Sequence, residues 1–87
     1  MTNNETLRTI ILKMLKDEYP KIKDVKVVSY NDEGKYYYNI FLGFNNEDHE
    51  KLDDGDIKRK TRKVFNLVYP HDTLQSTSFF NPNPSYY

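Results

Sequence analysis

The 87-residue sequence predicts an α+β domain in the order helix-strand-strand-helix-strand: a three-stranded mixed sheet with two helices packed on one face. Three patterns carry this expectation. Leu7, Ile10, Ile11, Met14 and Leu15 recur at helical spacing near the start of the chain. Residues 24–30 and 35–44 alternate with period two on either side of a short polar turn, which reads as a hairpin. Ile57, Thr61, Val64, Phe65 and Val68 then mark a second helix, and a strand follows it at 73–80.

The first helix is expected over residues 3–18. Thr2 and Glu5 have capping-box spacing, since the glutamate can reach back to the backbone of Thr2. Pro20 stops the helix by pushing residue 19 out of the α region. Leu12 lies off the main stripe, where it either widens the buried face or sits at its edge. In the first strand Val25 and Val27 share one face, and Lys26, Val28 and Tyr30 share the other. Asn31-Asp32-Glu33-Gly34 is the turn, with Gly34 suited to a positive φ. Residues 45–50 read as a polar acidic loop.

The second helix is expected over residues 54–69. Asp53, Asp54 and Asp56 suit its positive end, and Pro70 ends it. It links the second and third strands, so the unit is βαβ and is expected to be right-handed. The third strand is rich in Ser and Thr and carries Leu74, Phe79 and Phe80. Residues 1–80 are expected to form one domain. The Pro/Asn/Tyr tail at 81–87 suits neither a helix nor a central strand.

A chain of this length buries roughly 60–65% of its unfolded surface, enough for one small core and no second domain. It has no cysteine, which excludes disulfides, thiolate zinc sites, iron–sulfur clusters and Cys nucleophiles. The opening MTNNETLR is polar and does not read as a signal peptide, and no apolar run is long enough to span a membrane. A soluble, cytoplasmic protein without cofactor or metal is expected. Thirteen basic and thirteen acidic residues cancel, which argues against a dedicated non-specific nucleic-acid binder. The charge is unevenly laid out: residues 1–30 carry +2, residues 31–57 carry −6 and residues 58–87 carry +4.

The stretch YYYNIFLGF, residues 36–44, concentrates the functional question. Tyr36, Tyr38, Ile40, Leu42 and Phe44 form one complete apolar row, so that row is expected to face the helices. The opposite row is Tyr37, Asn39, Phe41 and Gly43. It joins Val28 and Tyr30 of the first strand and one of two phenylalanines of the third, taken as Phe79. A solvated sheet face normally turns polar, and this one is half aromatic. Val28, Tyr30, Tyr37, Asn39, Phe41 and Phe79 are therefore the candidate partner-binding residues, for a protein partner or a second copy in a homodimer. The competing expectation is that the tail folds back and covers the face with Tyr86 and Tyr87.

Lys58-Arg59-Lys60-Thr61-Arg62-Lys63 places five basic residues in six. Lys58, Arg59, Arg62 and Lys63 are the candidate contacts for an anionic ligand, a nucleotide or nucleic acid. The bland alternative is a solvated helix face with weak surface ion pairs. Neither the RNP1 pattern nor a Gly-x-x-Gly loop is present. The acids around His49 do not fit a calcium loop: with Gly55 at position six, Leu52 and Thr61 fall where ligands belong. No catalytic triad spacing and no phosphate-binding glycine loop is found, so an enzyme is not expected. In size and composition the chain resembles phage- or plasmid-encoded accessory and inhibitor proteins.

Overall fold

The structure, a computed structural model, describes residues 4–82. Its elements are α1 (Asn4–Glu18), β1 (Asp24–Asp32), β2 (Lys35–Gly43), α2 (Asn46–Glu50), α3 (Asp54–Val68) and β3 (Thr73–Phe80). The sheet order is β1-β2-β3, with β1 and β2 antiparallel and β2 and β3 parallel. The mixed sheet and the order of the long elements are those the sequence predicts. The short α2 is an addition.

α1 buries Leu7, Ile11 and Leu15, while Ile10 and Leu12 pack half-buried beside them. Met14 is 48% exposed, so the buried face is turned toward Leu12 and away from Met14. Arg8 ties this helix to the first residue of β1 by an ion pair with Asp24. The capping role assigned to Thr2 lies outside the described residues.

The hairpin is longer than expected. β1 continues to Asp32, and Glu33 and Gly34 alone make the turn, with φ of 52° and 84°. Two consecutive positive φ values give the two-residue turn that matches strand twist. Asn31 Oδ1 steadies it by accepting from the Gly34 N–H at 3.2 Å.

β2 lies in the middle of the sheet. Tyr38, Ile40 and Leu42 are buried on its helix side and Phe44 is buried just beyond its end. Tyr38 stacks on Tyr69 at 5.4 Å and meets Phe65 edge-on at 5.1 Å. α3 supplies Ile57, Thr61, Val64 and Phe65 to the same core, and the buried Thr61 hydroxyl donates to the Ile57 carbonyl at 2.8 Å. α2 buries no residue of its own, but Leu52 just after it packs on the core and His49 stacks on Phe79 at 4.3 Å.

β3 carries an irregularity that decides which phenylalanine faces where. Tyr38 pairs with Leu74 and the next residue, Asn39, pairs with Ser76, so Gln75 is an extra residue in β3. Unbroken alternation from the buried Leu74 would turn Phe80 inward and Phe79 outward. The bulge reverses this. Phe79 pairs with Leu42 and packs on the core, against Phe44 at 6.3 Å, while Phe80 pairs with Gly43 on the other side. Phe79, expected on the open face, is therefore on the helix face, and Phe80 takes its place.

Candidate functional site

The helices lie on one side of the sheet, and no described element lies on the other. Reading across that open side, β1 contributes Lys26, Val28 and Tyr30. They pair with Phe41, Asn39 and Tyr37 of β2. β3 contributes Ser76 opposite Asn39, Ser78 opposite Phe41 and Phe80 opposite Gly43. Val28 is 52% exposed and Tyr30 44%, whereas Tyr37, Asn39, Phe41 and Phe80 are half-buried. Five of the six residues proposed for partner binding thus share one face, and Phe79 does not.

The half-burial comes from contacts within the face. Tyr30 and Tyr37 stack at 5.2 Å with their planes 17° apart. The Tyr30 hydroxyl donates to Gln75 Oε1 at 3.2 Å, and Ser76 Oγ donates to Asn39 Oδ1 at 2.7 Å. Lys26 Nζ sits 4.6 Å above the Phe80 ring, within the range of a cation–π contact. Phe80 itself covers Gly43: a Cβ built on that glycine would come within 2.9 Å of the ring. Gln75 and Ser76 were missed in the sequence, Lys26 was placed on this face without being named a contact, and Phe80 was the alternative to Phe79. Alternation alone points to Lys26, but Ser76 and Phe80 reach this face only through the bulge at Gln75, which leaves no trace in residue type.

A second feature lies where α3 passes β3. Lys58, Arg59 and Arg62 line an open depression of about 310 Å³ together with Ser76 and Thr77. Three of the four proposed anion contacts are brought together there, and Lys63 is exposed on the helix outside that lining. Arg59 reaches Asp56 at 3.4 Å, and Lys58 lies 5.7 Å from the centre of the Phe79 ring. Lys60, on the other flank of α3, pairs with Glu18 of α1.

The acids around His49 separate into local roles. His49 Nε2 lies 2.9 Å from Asp54 Oδ1, and Asp53 caps α3 by accepting from the Asp56 N–H at 3.2 Å. Asp56 accepts a short hydrogen bond from the Tyr19 hydroxyl, which links α3 to the end of α1. That bond, with help from Arg59 and Lys60, lowers the Asp56 pKa. Burial, then the same hydrogen bond, raises Tyr19 to about 12. At Asp24, desolvation pushes upward but is outweighed by hydrogen bonds from Arg8 and the Val25 N–H, so its pKa is lowered. Among the described residues no three His, Cys, Asp or Glu side chains converge as metal ligands. His49 and His71 are at opposite ends of β3.

No protein-family model matches the sequence, and no curated protein matches it significantly. Among the described residues no helix is long and apolar enough to cross a membrane.

Proposed function

We propose that this chain is a small non-enzymatic interaction module whose open sheet face docks a second copy of itself. The supporting observation is the exposure of Val28 and Tyr30 beside the aromatic pair Tyr37 and Phe41, on a face that no described element covers. Self-docking fits its charge. Away from the hairpin turn and the Asp24 end, Lys26 is the one charged side chain in the rows, and it already lies over the Phe80 ring. Two such faces meet without a row of like charges, as an isologous contact requires. A reducing, cytoplasmic setting accords with the lack of cysteine.

Sedimentation tests this reading. The wild type is expected to dimerise and Val28→Lys to remain monomeric, with unchanged far-ultraviolet circular dichroism. A wild type that is monomeric at every concentration overturns self-docking. Truncation after Pro82 then separates the remaining cases. A truncated chain that dimerises shows the tail to be the cover, and one that stays monomeric points to a different protein.

A second reading is favoured by one observation, the depression shared by Lys58, Arg59 and Arg62. It is binding of nucleic acid or an anionic nucleotide-like ligand by the basic face of α3. Binding of an oligonucleotide at low salt that falls steeply as salt rises supports it, and no binding at low salt removes it.

A further inference from the structure

We propose that the free edge of β3 takes up an extended segment of an acidic partner protein as a fourth strand, with alternate carboxylates received by Lys58, Arg59 and Arg62. This inference shares those three cations with the anion-binding reading but adds a strand edge to them. It is independent of the open face.

β3 is an edge strand, since the sheet order is β1-β2-β3. Natural edges are usually blunted by charge, proline or brevity, because a bare edge invites another strand. The sequence of β3, TLQSTSFF, holds no charge and no proline over eight residues. The other edge strand, β1, is guarded by Asp24, Lys26 and Asp32. The bulge breaks the pairing of β3 only near its start, between Leu74 and Ser76. From Ser76 to Phe80 the strand runs regularly beside β2, so its outer edge offers an ordered ladder of backbone groups.

The cations choose the occupant. Lys58, Arg59 and Arg62 line the depression together with Ser76 and Thr77, so the charge of α3 stands beside the middle of that edge. Side chains of an added strand alternate between the two sides of the sheet. Every second residue would therefore meet the cations, and the others would extend the open aromatic face. The fitting segment alternates Asp or Glu with apolar or hydroxyl residues. A second copy of β3 fits poorly, because antiparallel pairing about a two-fold axis sets the two basic clusters against each other. A long nucleic-acid backbone fits poorly as well. Next to the cations, the first turn of α3 carries Asp54 and Asp56, its cap is Asp53, and α2 adds Glu47 and Asp48.

The test uses the full chain, isotopically labelled, and a capped synthetic peptide of alternating glutamate and valine. Amide shifts are expected at Ser76, Thr77, Ser78 and Arg62. A lysine–valine peptide is expected to give none. Two further peptides carry N-methyl groups on all the glutamates or on all the valines. In an added strand only one of these sets turns its N–H toward β3, so one methylated peptide is expected to lose binding and the other to keep it. Arg62→Glu, on an exposed helix position, is expected to weaken the peptide by roughly tenfold or more, as loss of a charge-assisted contact does. Equal binding of both methylated peptides would overturn strand addition and leave plain charge attraction. Tighter binding of a thymidine oligonucleotide would overturn it in favour of nucleic-acid binding by α3. Absence of shifts at about 1 mM peptide, where even a weak site fills, also overturns it.

Discussion

At Gly43 a single methyl group decides how closely β3 can approach. A Cβ there would meet Phe80 Cζ at 2.9 Å and the Asp24 carbonyl oxygen at 3.1 Å. The ring can swing aside, but the carbonyl is backbone. Gly43→Ala is expected to cost about 1–3 kcal/mol in urea unfolding, the usual cost of overpacking. In a Phe80→Ala background the cost should shrink, and equal costs in the two backgrounds would show that the ring is not the obstacle. The contact between Tyr19 and Asp56 gives a second expectation at this scale, in pH. Asp24 and Asp56 have lowered pKa values in the fold, so their contribution is complete above about pH 4 and is lost as pH falls through the lower folded values. Tyr19 is raised to about 12, so its contribution is present below about pH 10 and fades as pH climbs from there toward 12. Tyr19→Phe should remove the ionisation near 12 and let the Asp56 carboxyl titrate higher. An Asp56 titration that does not move in this variant would mean that the bond does not form in solution.

Among the elements, α3 shows most plainly which parts of the fold are legible in residue order. Its buried stripe, its acidic start and its proline stop are all local signals, and the helix spans Asp54–Val68 almost as read. Asp53→Ala should lower stability by about 1 kcal/mol by thermal or urea unfolding, because it leaves the Asp56 N–H without its cap. Thr61→Val should change stability by less than about 1 kcal/mol, since the hydroxyl bonds only to the carbonyl four residues back, which the helix already occupies. The elements that were missed lack such signals. Asn46–Glu50 has no apolar period, and its helix is held by its neighbours, through the packing of Leu52 and the His49–Phe79 stack. Asn31 and Asp32 are turn residues by type, yet they pair with Tyr36 and Lys35 because the two-residue turn lies one step further on. The Gln75 bulge is set by how β3 meets β2. Nothing in a run of Gln, Ser and Thr marks it, and it alone exchanges Phe79 for Phe80 on the open face. The row of Val28, Tyr30, Tyr37, Asn39 and Phe41 was legible because period two holds without a break in β1 and β2. That Lys58, Arg59 and Arg62 share a depression was not, because the depression exists only where α3 crosses the edge of β3.

At the scale of the whole molecule, the two proposed surfaces are separate parts of one sheet. A contact on the open face runs over β1 and β2, and a contact on the edge runs along β3, so a variant in one should leave the other intact. Val28 is 52% exposed, and its replacement by lysine should change the stability of the lone chain by no more than about 0.5 kcal/mol. The same lysine, buried in a contact between two such faces, carries an unpaired charge into it and opposes closure. Stability should therefore depend on protein concentration in one protein and not in the other. A dimer gains about 1.4 kcal/mol for each tenfold rise in concentration, because mass action favours the folded, associated state. The thermal midpoint of the wild type should climb over about a hundredfold range of concentration, while that of Val28→Lys stays level and meets the wild-type value at the dilute end. Arg62→Glu should follow the wild-type curve, since Arg62 lies on the helix side of the β3 edge. If Val28→Lys climbs as steeply as the wild type, the association runs through another surface, and the open face is not the one that docks the second copy.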